Sequence, residues 1–338
     1  MSIGNQVRGQ VIEAMSMPIK TSFKQKGEND LFVSEKDRID LLREITGKVF
    51  FDEPMSNHTS FRIGGPADVL IIPNDLNDIK NILKLADDRK VPIYIIGNGT
   101  NLLVRDCGIR GIVIKIANTF NDIVVDGQKI ISGAGVRLSN LLKIAIETGL
   151  TGIEFVAGIP GTVGGAVVMN AGSHIGSLSE VISEVVVMDF SGYIHTLSNA
   201  ECKFGYRESI FQHEKMIILK ATITLKRGEK AKIQEKVKRI IKKRRKTQPL
   251  DNLSAGCIFR NPRGYSAGKL IEKAGLKGKR INDAQISTIH SNFIVNLGKA
   301  KASDVLALIN LVQREIAGKF GVFLYPEVRI IPKTDDVL

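Results

Sequence analysis

Residues 152–172 read GIEFVAGIPGTVGGAVVMNAG. Six glycines, one proline and one asparagine stand among mostly small apolar side chains. Such a stretch cannot fill a core with large side chains. It lets the backbone come close to something and turns its amides toward a ligand. Glycine costs chain entropy on folding, so a run this dense needs a compensating use. A tight turn region between strands is the plainer reading. Close approach to a bound molecule is the reading that accounts for the density.

Upstream of this stretch the pattern predicts a helix over Leu138–Thr148, with Leu138, Leu141, Leu142, Ala145 and Ile146 inward and Gly149 as its stop. Gly111–Ile116, Asp122–Val125 and Lys129–Gly133 read as short strands. Earlier still, Gly64-Gly65-Pro66 turns into a strand at Ala67–Ile72. A helix capped by Asp75 or Asn77 runs through Asp87, and Val91–Ile96 is a buried strand. That strand enters a second glycine turn, Gly97-Asn98-Gly99-Thr100-Asn101, and Leu102–Val104 is strand again. The turn lacks the Gly-Lys-Ser/Thr of a Walker A loop and the GxGxxG of a dinucleotide fingerprint.

Downstream, Val181–Asp189 and Tyr193–Ser198 read as an antiparallel pair around Ser191-Gly192, and Met216–Leu225 is a further strand. After Gly228 comes a basic amphipathic helix, Ala231–Lys246, with Ile233, Val237, Ile240 and Ile241 on one face. Thr247 to Pro262 reads mostly as loop. Ser303 is a candidate cap for a last helix through Lys319, and Val328–Ile331 is a closing strand. Many strands with few, scattered helices predict an α+β fold. Four divisions are expected: an arm or helical cap over 1–44, with a helical pattern at Asp37–Ile45, then units over 45–115, 116–227 and 228–338.

The composition is ordinary for a globular chain, at 43% apolar and 25% charged residues. No apolar run reaches the roughly 18 residues of a membrane span, and the N-terminus lacks a secretory apolar core. A cytoplasmic protein with no membrane partner is expected. The three cysteines, Cys107, Cys202 and Cys257, are far apart, and the five histidines show no metal-ligand spacing, so no metal site is expected. Net charge is +13, and residues 236–246, KVKRIIKKRRK, hold eight basic residues and no acid. A nucleic-acid partner must be weighed at that charge, but Trp is absent and no recognition motif accompanies the run. A small anionic ligand accounts for the charge equally well.

Eight segments in order carry a resemblance: SFRIGGPADV at Ser60–Val69, GNGTNLLVRD at Gly97–Asp106, the 152–172 stretch, FGYRESIF at Phe204–Phe211, QPLDNLSAGCIFRNP at Gln248–Pro262, AGKLIEKAGLKG at Ala267–Gly278, NDAQISTIHSNFIVN at Asn282–Asn296 and PEVRII at Pro326–Ile331. Together, over about Phe51 to Ile331, the chain resembles the UDP-N-acetylenolpyruvoylglucosamine reductase family. The resemblance implies a bipartite FAD clamp of the vanillyl-alcohol-oxidase-like (PCMH) type and a C-terminal α+β substrate domain. It implies non-covalent FAD, NADPH as hydride donor, and reduction of an enolpyruvyl ether on a UDP-sugar. The cofactor positions it implies are Ile96, Gly97, Asn98, Gly99, Thr100, Asn101 and Leu102, then Gly158, Ile159, Pro160, Gly161, Thr162, Gly164, Gly165, Ala166, Asn170 and Gly172. Asn170 is expected to offer its amide to ring or phosphate atoms.

The resemblance also places a catalytic trio at Arg207, Cys257 and Glu327. The arginine suits a substrate carboxylate, and the glutamate suits an acid with a raised pKa or a shared proton. Cys257 stands in Ser254-Ala255-Gly256-Cys257-Ile258-Phe259 where the family most often has serine as proton donor. A thiol, with a reference pKa of about 8.5, can also donate. Tyr206, Asn261, Lys269 and Gln285 are expected to face the substrate. Basic residues Arg244, Arg245 and Lys246 are expected toward the UDP diphosphate. Only 49 residues separate Arg207 from Cys257, which resembles the family's shorter form without an added tyrosine loop. Two other readings stay open on the residues: an FAD-dependent sugar or alcohol oxidase, and a basic nucleic-acid-binding protein.

Overall fold

The computed structural model describes residues 35–332. Of the arm expected over 1–44, only its end is therefore described, as helix α1 (Glu35–Glu44); the remainder lies outside the described residues. The first unit follows with β1 (Lys48–Pro54), β2 (Pro66–Ile72), α2 (Leu76–Arg89), β3 (Ile93–Ile96), β4 (Leu102–Val104) and β5 (Ile109–Lys115). Its sheet has the order β1-β2-β5-β3, with β2, β5 and β3 parallel and β1 antiparallel. β2 buries Ala67 to Ile71 without a break because both sheet faces are covered. Asp75 caps α2, accepting from the Asn77 and Asp78 amides at 2.8 and 3.0 Å. At the far end of β3 the chain turns into the first glycine segment.

The second unit holds β6 (Ile123–Asp126), β7 (Lys129–Gly133), α3 (Leu138–Glu147), β8 (Leu150–Thr151), α4 (Val163–Val168), β9 (Gly172–Ser173), β10 (Gly176–Ser177), β11 (Ile182–Asp189), β12 (Ile194–Ser198), β13 (Met216–Thr224), β14 (Lys226–Arg227) and α5 (Lys230–Thr247). Its main sheet is antiparallel in the order β12-β11-β13-β7-β6. α3 lays Leu138, Leu141, Leu142 and Ala145 into the core. α5, placed by its sequence at the head of the third unit, packs here instead. Its Val237 is buried in the same cluster as Leu141, Phe155 and Val156. Its Lys236 reaches the buried Glu154 carboxylate at 3.1 Å. The elements after α5, within the expected third unit, share a core of their own with residues of the first.

That unit contains α6 (Ala267–Lys273), β15 (Arg280–Ile281), β16 (Ala284–Ile286), β17 (Ile294–Asn296), α7 (Ala302–Phe320) and β18 (Arg329–Ile331). α7 buries Val305, Leu308, Ile309, Val312 and Ile316 against the small sheet, in a cluster shared with Phe61, Ile63 and Leu103 of the first unit. β18 returns to pair in parallel with β4. The expected cap, Ser303, lies inside α7. Asp106 of the first unit does the capping, accepting from the Ala302 and Ser303 amides at 2.8 and 2.9 Å. A carboxylate there also meets the positive end of the helix dipole. Among the described residues no helix is long and apolar enough to cross a membrane, and no group of side chains has metal-ligand geometry.

Candidate active site

The two glycine segments close on one another. An added Cβ on Gly97 would stand 2.6 Å from Thr162 Oγ1, so only glycine lets the first segment reach the second. Thr100 Oγ1 donates to the Pro160 carbonyl at 3.3 Å, further joining them. Thr162 also caps α4, accepting from Gly165 N at 3.4 Å. The side chain of Arg244, on α5, rests against Gly158. The result is a glycine-rich contact between the first and second units. It suits a flat ring and a diphosphate, which need close approach and amide donors rather than bulky walls.

Asn170 differs from the expectation. Its amide is spent inside the protein: Nδ2 donates to Gly205 O at 2.8 Å and to Ser179 Oγ at 3.3 Å, while Oδ1 accepts from Ser179 N at 2.9 Å. What it holds is the turn Gly205–Glu208, closed by the reciprocal Gly205 and Glu208 backbone bonds. Arg207 sits in that turn with φ +57, a left-handed conformation costly for a side-chain-bearing residue. Its guanidinium is fixed at three points. Nη2 donates to Gly172 O at 2.8 Å, Nη1 to Asn170 O at 3.4 Å, and Nε to Glu327 Oε1 at 2.9 Å. Asn170 and Gly172 thus aim the arginine.

Cys257 and Glu327 come together through an extended segment of the third unit. Cys257 bridges Phe293 on one side, and Phe259 bridges Pro326 on the other. Ile258 N donates to Asn292 O at 2.8 Å, and Glu327 N donates to Ile258 O at 2.7 Å. Asn292, which sequence reasoning passed over, is buried and clasps Phe259 with its amide, accepting at 3.0 Å and donating at 2.8 Å. Asn101 Nδ2 donates to the Glu327 carbonyl at 3.1 Å, so the first glycine segment touches the trio directly.

The electrostatics separate the two acids. Cys257 is not wholly enclosed, yet its dense surroundings and the nearby Glu327 charge push the thiol up to about 12, against the pull of Arg207, Arg244 and Asn292. The reference thiol value does not hold here, and at neutral pH the group is S–H. Burial also raises the Glu327 carboxyl, although the charge and hydrogen bond of Arg207 and the charge of Arg260 oppose it. Arg260 adds positive charge near Glu327, and Arg329, which donates to Gln212 Oε1 at 3.2 Å, lies near Arg260. Nothing in the spacing of Arg260 or Arg329 marks them in advance.

Of the expected substrate residues, Tyr206 is exposed with its ring 5.2 Å from the Arg207 guanidinium carbon, and its hydroxyl accepts from Asn261 N at 3.4 Å. Asn261 Oδ1 in turn accepts from Ala267 N at 2.9 Å, at the start of α6. Lys269 lines a cavity of about 450 Å³ with Tyr265, Ser266 and Lys273. Gln285 donates to Gly278 O at 3.1 Å, beside the β15–β16 turn. Arg245 and Lys246 lie exposed at the end of α5, while Arg244 points inward to Gly158.

Residues 67–198 match the model of an FAD binding domain, and residues 248–331 match that of the UDP-N-acetylenolpyruvoylglucosamine reductase C-terminal domain. A UDP-N-acetylenolpyruvoylglucosamine reductase of Caldanaerobacter subterraneus subsp. tengcongensis is 48% identical over 87% of this chain and 97% of its own length. The chain belongs to the UDP-N-acetylenolpyruvoylglucosamine reductase family. The reductase of Clostridium kluyveri is 46% identical over 86% of this chain and 96% of its own. The crystal structure of the Thermus caldophilus reductase superimposes with a TM-score of 0.73 at 35% identity, covering 85% of this chain and all of that one. The fold is accordingly the bipartite FAD clamp with a C-terminal α+β domain, and FAD is the cofactor. The two glycine segments, which meet where Gly97 faces Thr162, fit it through the backbone amides they offer to a diphosphate. The interval from Arg207 to Cys257 holds β13, β14 and α5.

Proposed function

We propose that this chain reduces UDP-N-acetylenolpyruvoylglucosamine to UDP-N-acetylmuramate with NADPH, and that Arg207, Glu327 and Cys257 act on the enolpyruvyl group. The observation that carries the roles is the 2.9 Å bond from Arg207 Nε to Glu327 Oε1, beside a thiol that its surroundings keep protonated. The chemistry the cofactor supplies is hydride transfer, from NADPH and then to the methylene carbon of the enol ether. Residues 96–102 and 158–166 would hold it.

Arg207 spends three N–H groups on the protein and keeps two of the five a guanidinium has. Those two suit the substrate carboxylate, and they stabilise the negative charge that spreads onto it once hydride has reached the neighbouring carbon. The Glu327 carboxyl, favoured in its neutral form by burial, shares a proton with that carboxylate. Cys257 S–H then gives its proton to the carbon bearing the carboxylate, and solvent restores the thiol. The double bond gains one hydride and one proton, and no atom leaves.

The nucleotide-sugar lies along Tyr206, Asn261 and the cavity that Lys269 borders, with Gln285 nearby. Both substrates are soluble nucleotides, which suits an enzyme of the cytoplasm. Two residues of its basic helix are engaged within the protein, Lys236 by Glu154 and Arg244 against Gly158. Purified protein should be yellow, its flavin released on denaturation, and should consume NADPH over many turnovers only when UDP-N-acetylenolpyruvoylglucosamine is present. Turnover of a sugar alcohol with oxygen, and none with the enolpyruvyl substrate, would overturn the reading in favour of an oxidase.

A further inference from the structure

Two basic side chains that no motif marked flank the first glycine segment. Lys115 ends β5 and pairs with Ile96, the residue before Gly97. Its Nζ donates to His58 Nδ1 at 3.1 Å. An ammonium can only donate, so the His58 ring accepts at Nδ1 and gives its Nε2–H to Glu53 Oε1 at 2.9 Å. Asn57 Nδ2 donates to the same oxygen at 3.2 Å. The one nearby carboxylate is thus spent on His58 and Asn57, not on the lysine. The chain segment of this relay touches the cradle itself, because Gly99 has no room for a side chain against the His58 carbonyl and its own carbonyl accepts from Ser60 N at 3.1 Å.

Arg137 comes from the other wall. It bridges Thr162, the residue whose hydroxyl meets Gly97. It is exposed, and none of the hydrogen bonds or ion pairs found among the described residues neutralises it. Burial lowers the pKa of Lys115 first and the Arg137 charge lowers it next, with Glu53 opposing. Lys115 stands beside the strand end that leads into Gly97 and Arg137 beside Thr162, which Gly97 meets; two cations so placed repel, and an anion bound between them turns that repulsion into attraction on both sides.

We propose that Lys115 and Arg137 are the charged clamp for the diphosphate of FAD, with His58 and Glu53 as positioning residues that fix the lysine. The inference rests on FAD as the cofactor. It adds charged donors to backbone amides, which on their own would bind neutral and anionic flavins with less discrimination. The flavin ring and the adenine are uncharged, so a pair of cations selects the diphosphate.

The test is titration of flavin-free protein with FAD and, separately, with riboflavin, read by flavin fluorescence. Lys115→Met and Arg137→Gln should each weaken FAD by about 10- to 100-fold, as loss of a charge-assisted bond does, while riboflavin changes by less than about twofold. Inorganic diphosphate should compete with FAD on the native protein and lose that power on Lys115→Met. Lys115→Arg should recover most of the affinity. Arg137 is exposed, so Arg137→Gln carries the test even where Lys115→Met folds poorly. Equal losses for FAD and riboflavin, or FAD affinity within about twofold of native in Arg137→Gln, would overturn the clamp. A native protein that takes up no FAD at all would instead overturn the cofactor assignment.

Discussion

Arg207 and Glu327 lie 120 residues apart in sequence and meet at 2.9 Å, Nε to Oε1, across the junction of the second and third units. The bond joins a left-handed turn of one unit to an extended segment of the other. Both side chains are mostly buried, with 18% of each exposed. The pair therefore bridges the two units, and it is aimed by Asn170, Gly172 and Asn101.

That geometry predicts a split in Arg207 variants. Arg207→Lys keeps the charge but loses the fork that reaches Glu327 and two carbonyls at once. The rate of flavin reoxidation by the enolpyruvyl substrate should fall by about 10²- to 10³-fold, the usual cost of an electrostatic stabiliser. Flavin reduction by NADPH should change by less than about threefold. Rapid-mixing measurement of the two half-reactions checks this. Equal losses in both would mark Arg207 as a residue that holds the fold.

Glu327 predicts an opposition between stability and activity. Burial raises its pKa in the folded state, so the folded protein holds a proton that the unfolded chain has already released above about pH 4.5. Proton binding is then greater in the folded state, and stability falls as pH rises from the unfolded value through the folded one. Glu327→Gln removes the titration. Its melting temperature should rise relative to native as pH increases from about 4.5 to 8, while reduction of the enolpyruvyl substrate slows by about tenfold or more. Calorimetry across that range decides it. A difference in melting temperature that shrinks with pH would mean the carboxylate is stabilised in place, as a structural ion pair.

The strands and helices that could be read in advance are those with one strong local signal. α2 has a capping aspartate and four apolar residues on one face, and β2 has the apolar run Val69 to Ile72. The missed elements lack such signals. α4 is six residues, VGGAVV, with two adjacent glycines that lower helix propensity, and it forms because Thr162 caps it and Ala134 packs at Gly164. β16 and β17 are three residues each, too short to show a period. β1 is only half-buried and reads without alternation. Within the site, the resemblance singles out Arg207, Cys257 and Glu327, and the structure brings Arg207 and Glu327 into contact. The duties of Asn170 and Gly172 were not legible, because they depend on hydrogen bonds to a turn 35 residues onward.

Asp106 shows the same limit and gives a stability prediction. Its carboxylate caps α7 from 196 residues away, so no local pattern around Ser303 reveals it. Asp106→Ala should cost about 1–2 kcal/mol, in the upper half of the range for lost caps, because the same bonds also tie the third unit to the first. Asp106→Asn keeps an acceptor and should cost less. Chemical denaturation of the FAD-bound protein measures both. A loss below about 0.3 kcal/mol for Asp106→Ala would mean water replaces the cap without penalty.

The last prediction concerns Cys257, where the surroundings reverse the ordinary chemistry of the residue. A thiol near its reference pKa is a nucleophile at pH 8, but one pushed up to about 12 is thiolate only to roughly one part in 10⁴. Cys257 should therefore resist iodoacetamide at pH 8, with alkylation mapped by mass spectrometry falling on Cys107 first. Cys202, buried and pushed up to about 11, should resist as well. A protonated thiol is what donation requires, and the carbanion formed beside a carboxylate is basic enough to take that proton. Cys257→Ser should keep substantial turnover, since a hydroxyl is likewise fully protonated and of similar reach. Cys257→Ala should accept hydride from NADPH at the native rate but reduce the enolpyruvyl substrate at least about tenfold more slowly, with a changed solvent isotope effect on that step. Normal turnover in Cys257→Ala would exclude the donor role. Fast alkylation of Cys257 in the native enzyme would instead mean that Arg207 and Arg244 outweigh burial and Glu327, and that the residue is a thiolate unable to donate at all.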